Sequence, residues 1–222
     1  ANVHYAPQAP YAIPYRCIYS ADIDNLFFAG RNISATHLAL SSTRVMGTCA
    51  MLGQALGTAC FVAHKYAVTP REAGAHVWEI QQLLLENDCF LLRTRRKGVL
   101  SSSLERRLTH ERRIVLEKGE NRTWEFSKRY VSYIRIVFDS MLKLFPMLAY
   151  NGSKKTLRVP PTLVKQFRIR WRAEGGWREQ VFENNFQRLV KIPVGEKLDA
   201  VEFCGMQTHG ATKVYLWSLD IE

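Results

Sequence analysis

Near residue 90 the apolar residues change their spacing, and no other feature limits the fold as strongly. Before it they recur every three or four residues, as on one face of a helix; after it they alternate, as on one face of a strand. One chain therefore holds a helical part and an antiparallel β part, an α+β arrangement with an expected boundary between 1–90 and 91–222. The charge changes at the same place. Residues 1–90 hold 5 Lys+Arg and 6 Asp+Glu, whereas 91–222 hold 26 and 14, so the net +11 belongs to the second part.

In the first part, Pro7, Pro10 and Pro14 keep the start extended. "DNLFFAG", 24–30, is a short apolar run closed by glycine and predicts a buried strand. Between Val45 and Ala63 there is no charged residue. The stretch 43–66 predicts a helix capped by Ser42 or Thr43, with Lys65 in its last turn. Gly47, Ala50, Gly53, Gly57 and Thr58 place small residues at helical spacing, where another backbone can come close. Such a stretch must be weighed as a membrane span. Gln54, Thr48, Thr58 and three glycines favour a helix in a protein core instead, and no membrane partner is expected. A second, amphipathic helix is predicted over 69–88, with Thr69 as cap, Pro70 in its first turn and Val77, Ile80, Leu84 and Leu85 on its apolar stripe.

In the second part, "KQFRIRWRAEGGWREQVF" puts Phe167, Ile169 and Trp171 on one face and Arg168, Arg170 and Arg172 on the other. Gly175-Gly176 predicts a hairpin. "YIRIVFDS", "RLVKIPV", "AVEFCGM" and "KVYLWSLDIE" repeat the alternation, which reads as a β-sandwich with one wet face. The basic balance raises the question of a polyanionic partner. Positive residues interleaved with apolar ones describe a solvated face, so no nucleic acid partner is expected. Cys17, Cys49, Cys60, Cys89 and Cys204 are scattered and odd in number, which argues against a disulfide framework or a metal site and fits a reducing, cytoplasmic setting. The opening residues have neither a charged n-region nor an apolar h-region.

The window 13–59, "IPYRCIYSADIDNLFFAGRNISATHLALSSTRVMGTCAMLGQALGTA", resembles in register the last flavin-contacting segment of FAD-dependent oxidoreductases of the glutathione-reductase-like superfamily. The resemblance implies FAD as cofactor. It implies that the turn Ala29, Gly30, Arg31 lies along the pyrophosphate and ribityl chain, and that the helix start at Arg44, Val45, Met46, Gly47 and Thr48 faces the pyrimidine edge of the flavin ring. His37, Arg16 and Tyr15 are the candidates for the substrate side. Read without the resemblance, Gly30 ends a strand, Arg31 pairs with a surface carboxylate, and His37 is a hydrogen-bonded loop residue. The sequence departs from the family in lacking the strand–G-x-G-x-x-G–helix that opens a dinucleotide site, and in having Ser41-Ser42-Thr43 where a glycine-serine pair is expected. The implied reading is the C-terminal piece of a Rossmann-like FAD-binding domain, inactive without a dinucleotide-binding half supplied by more of the chain or by a partner.

The segments 119–140, 160–194 and 208–222 are similar to the galactose-binding-like β-sandwich that follows the FAD domain in many members of this family. This supports a second function, a non-catalytic carbohydrate-binding module with a sugar-like ligand. Of its tryptophans, Trp171 and Trp217 lie in alternating strands and are expected in the core. Trp177, beside the hairpin glycines, is expected to be exposed, and Trp124 is weighed with them. Asn32, Asn121 and Asn151 each begin an N-x-S/T triplet.

Overall fold

The computed structural model describes residues 11–89, 91, 92, 94, 96–100, 113–140 and 159–222. Pro7, Pro10 and Asn151 lie outside the described residues. The chain separates into two compact units, Ala1–Arg96 and Lys97–Glu222. The division falls later than the change of period at residue 90. Arg96 is buried and pairs with Glu86 at 3.1 Å, which ties this stretch back to the helical unit.

The first unit holds α1 (His37–Thr43), α2 (Met46–Tyr66) and α3 (Val77–Glu86), with single 310 turns at Tyr15–Ile18 and Glu72–His76. The helix expected from residue 43 begins at Met46, and a separate short helix, α1, precedes it. Thr36 caps α1 by accepting from the Ala39 amide at 3.3 Å. Val45 is extended and begins α2 without a side-chain cap, so neither Ser42 nor Thr43 caps that helix. The helix expected from Thr69 also starts later. Thr69 and Glu72 form a reciprocal pair: the Glu72 carboxylate accepts the Thr69 amide at 2.9 Å, and the Thr69 hydroxyl accepts the Glu72 amide at 3.3 Å. That pair opens the 310 turn, and α3 follows it.

Residues 24–30 do not form the buried strand their apolar run predicts. Only the bridge Tyr19–Phe27 has strand geometry, and residues 21–26 are exposed. The run finds no further strand among the described residues to pair with, so its backbone is held locally. The Phe28 amide donates to the Ile18 carbonyl at 2.9 Å, and the Ser20 amide to the Leu26 carbonyl at 3.0 Å.

The expected core helix is also corrected. Leu52, Ala59, Val62 and Ala63 are the buried residues of α2. Leu52, Ala59 and Val62 pack with Ile18, Ile33, Ile80 and Leu84 into one apolar cluster. The opposite side of α2, with Gly47, Ala50, Gly53, Gln54, Gly57 and Phe61, is open. By length and mean hydropathy, 1.4, this helix would also suffice to cross a membrane.

Among the described residues the second unit is one six-stranded antiparallel sheet. Its strands are β1 (Ile114–Leu116), β2 (Asn121–Phe138), β3 (Val164–Ala173), β4 (Gly176–Phe182), β5 (Leu189–Thr208) and β6 (Val214–Ile221), in the order β1-β6-β2-β5-β3-β4. "RLVKIPV" and "AVEFCGM", expected as separate strands, are the two ends of β5. Pro193 sits within that strand, exposed, where the pairing register with β2 shifts next to Tyr133. A proline is tolerated in a ladder at such an irregularity. The glycine pair makes the β3–β4 hairpin as expected.

β2 and β5 form a long ribbon from Asn121–Cys204 at one end to Val137–Leu189 at the other. β3 pairs with the C-terminal half of β5, and β6 with the C-terminal half of β2. Fully extended, Leu189 and Phe203 would lie about 46 Å apart along β5. Yet the ring of Phe138, beside Leu189's partner, is 6.2 Å from the ring of Phe203 and 5.1 Å from that of Phe167. The ribbon therefore curls until its two halves face each other, and β3 and β6 extend the two layers. Register shifts at Glu125/Arg129 and Val131/Tyr133 supply the bend. Ile134, Ile136, Leu219 and Ile221 from one layer and Phe167, Ile169 and Phe203 from the other fill the core.

Candidate functional site

The turn singled out in the sequence, Ala29–Arg31, follows the short bridge. Gly30 has φ +95°, and a Cβ placed there would meet only the Asn32 side-chain oxygen, at 3.9 Å. The position thus needs glycine for its backbone angle and leaves open space where a side chain would stand. Its neighbours are fixed. Ile33 belongs to the buried cluster with Leu52 of α2, and Ala29 packs against that cluster. The Ser34 amide donates to the Cys17 carbonyl at 2.9 Å. Arg31 and Asn32 are exposed.

The start of α2 is equally open. Met46 is 90% exposed, and Arg44, Val45 and Gly47 are exposed beside a half-buried Thr48. With no side-chain cap, the first amides of this helix carry unopposed partial positive charge. A backbone that can approach a phosphate and a helix start that favours gathered electron density are a donor set suited to FAD. These residues fit the cofactor.

The three candidates for the substrate side fall in different settings. Tyr15 is half-buried, and its hydroxyl donates to the Pro70 carbonyl at 2.7 Å. Burial first, then the neighbouring Tyr19 and Cys60, push its pKa up to about 12. Its place is in the helical unit's packing, where it also meets Tyr19 at 5.5 Å. Arg16 is exposed, and His37 is the exposed first residue of α1.

In the second unit, the alternating arginines face β5 and β4 carboxylates. Arg170 meets Glu202 at 3.1 Å, Arg172 meets Asp199 at 2.6 Å, and Arg168 donates to Asn121 at 2.9 Å. Arg178 pairs with Glu196 at 3.1 Å. This face is a ladder of opposite charges, a poor footprint for a polyanion. Trp171 is buried and donates to Glu196 at 2.9 Å, and Trp124 and Trp217 are half-buried. Trp177 is 39% exposed, with the guanidinium carbons of Arg170 and Arg172 at 4.9 and 5.7 Å from its ring centre. It is exposed, as its position beside the glycines predicts, but two cations share its ring.

Sequence pattern alone does not mark the β4–β5 loop. Phe182, Glu183, Asn184, Asn185, Phe186 and Gln187 line a cleft of about 350 Å³ there. The only signal was the run Glu-Asn-Asn between two phenylalanines, too short to carry a period.

Residues 1–84 match the family model of the FAD dependent oxidoreductases, so the helical unit contains a partial region of that family. No curated protein matches the chain. Among solved structures, it is similar to the family 32 carbohydrate-binding module of Streptococcus pneumoniae EndoD, at 8% identity and TM-score 0.40 over 59% of this chain and 90% of that one. It is also similar to the module CBM32-2 of a GH31 protein bound to GalNAc, at 12% identity and TM-score 0.36, covering 50% and 68%. A chitosan-binding module from Paenibacillus sp. IK-5 follows at 11% identity and TM-score 0.35, covering 52% and 79%.

Proposed function

We propose that the helical unit is the flavin-facing C-terminal portion of an FAD-dependent oxidoreductase. In this reading the Ala29–Gly30–Arg31 turn lies along the cofactor's pyrophosphate, and the α2 start from Arg44 to Thr48 faces the flavin ring. The observation that carries it is Gly30, a positive-φ residue with empty space in place of a side chain, on a turn anchored to the same apolar cluster as α2. Bound FAD supplies the electron and hydride chemistry; the chain contributes position and electrostatics. Gly30 admits the phosphates, the Arg31 guanidinium adds positive charge beside them, and the amides of Met46, Gly47 and Thr48 stabilise charge on the ring's pyrimidine side. The sequence has no G-x-G-x-x-G, so the adenine end requires a dinucleotide-binding half beyond these residues. The open glycine face of α2 is a surface such a half would cover.

The test measures visible flavin absorbance on the protein purified as its own cell makes it. The expected result is a yellow protein whose Gly30→Val and Arg31→Ala variants hold less flavin, with far-UV circular dichroism unchanged. A colourless native protein, or variants that keep a full complement of flavin, would refute the assignment.

For the second unit we propose carbohydrate binding. The supporting observation is an aromatic side chain, Phe186, left in solvent at 61% exposure on a loop that a buried asparagine holds in place.

A further inference from the structure

The β4–β5 loop is fixed from three directions by Asn185. Its side-chain amide donates to the Val164 carbonyl at 2.8 Å and the Gln187 carbonyl at 3.0 Å, and its side-chain oxygen accepts the Gln187 amide at 3.0 Å. Its backbone amide donates to Lys165 at 2.8 Å. The carbonyl of Asn185 lies 2.8 Å from His209 Nε2, which donates in the tautomer that carries its proton there. Beneath the loop, Phe182 stacks on the buried Phe167 at 4.5 Å between ring centres. A loop with its backbone satisfied to this degree gives up little freedom when a ligand arrives.

What the loop presents is an aromatic ring among neutral amides. The exposed Phe186 leans on His209, 4.9 Å between centroids at 41°. A phenyl group this exposed contributes little to folding. Around it stand the exposed Glu183, Asn184 and Gln187. Amides both donate and accept, as hydroxyl groups do, and an aromatic face suits an apolar C–H surface. Among the described residues no lysine or arginine lines the cleft, and Glu183 would repel an anion. At about 350 Å³ the cleft is at the small end of ligand sites.

We infer that this loop is the carbohydrate site of the second unit and takes a neutral pyranose, with one sugar face on Phe186 and hydroxyls on Asn184, Gln187 and Glu183. The inference rests on the carbohydrate reading of that unit and places its site at Phe186 rather than at Trp177, the exposed tryptophan of the β3–β4 hairpin.

The experiment is ligand-observed NMR on the whole chain with D-galactose, N-acetyl-D-galactosamine, D-glucose and D-glucuronate. At least one neutral sugar is expected to bind. Phe186→Ala should weaken it at least tenfold and Asn184→Ala several-fold, while Phe186→Trp and Trp177→Ala keep binding, all four variants melting near the parent temperature. Binding that survives Phe186→Ala and Asn184→Ala overturns the site and leaves the carbohydrate reading standing. Binding lost in Trp177→Ala overturns the Phe186 site and places it at that tryptophan. Preference for glucuronate overturns the neutral class, and binding of no sugar overturns both site and reading.

Discussion

Gly205 on β5 has a sharply defined neighbour. A Cβ added there would lie 2.6 Å from both γ-carbons of Val214 and 3.1 Å from its Cβ. Carbon atoms rest about 3.5–4.0 Å apart, so the two strands must open by about 1 Å or Val214 must leave its fully buried position. Gly205→Ala should therefore cost about 1–3 kcal/mol, the usual range for overpacking. Val214→Ala removes two buried methyl groups and should cost about 2 kcal/mol from transfer and residual cavity. In the double variant the clashing γ-carbons are gone and the new methyl occupies part of the space they leave. The double variant should be more stable than the sum of the singles by about 1–2 kcal/mol, a coupling typical of residues in contact. Urea unfolding followed by tryptophan fluorescence reads this, because four of the five tryptophans, Trp124, Trp171, Trp177 and Trp217, lie in the β unit, with Trp78 in α3. Additivity within about 0.5 kcal/mol would mean that the strands separate freely at this point and that the tight packing argument is wrong.

Asp220 is buried, and its Oδ1 accepts the amides of Val99 and Leu100, each at 2.8 Å, and of Ile221 at 2.9 Å. Asp220→Ala should cost about 3–5 kcal/mol, since the Ile221 amide stays buried while 99–100 can turn to water, and hydrogen exchange at Val99 and Leu100 should accelerate. A loss below about 1 kcal/mol would contradict it. In the helical unit, Tyr15 is neutral in the folded state up to about pH 12 but ionises near pH 10 when unfolded. A group whose folded value is raised contributes stability that is full below pH 10 and lost as pH climbs towards 12. Phe in place of Tyr15 should remove about 1 kcal/mol with the Pro70 hydrogen bond and flatten that alkaline loss, followed by far-UV circular dichroism; an unchanged alkaline limb would assign it to other groups.

The change of period near residue 90 carried the α+β division, and the alternation of Phe167, Ile169 and Trp171 gave the correct buried face, because a strand's inside and outside are written in neighbouring residues. The curl of β2 and β5 was not legible. It depends on register shifts and on contacts such as Phe138–Phe203 between residues far apart in sequence. Residues 24–30 misled for a related reason: an apolar run becomes a strand only if a partner strand is there to receive its hydrogen bonds. The uncharged stretch of α2 predicted a helix in a protein core, whereas only one of its faces meets the unit's own core. In the candidate sites, Gly30 was readable because a positive φ restricts the residue type. Phe186 was not, since its importance comes from the buried asparagine beside it.

The curled ribbon has a consequence for engineering. Because β2 and β5 each run through both layers, neither layer exists without the other, and a break in either strand would sever both at once. The β3–β4 hairpin joins neighbours within a single layer. New termini or an inserted tag belong at Gly175-Gly176, where the chain can be opened and the β2–β5 ribbon left whole.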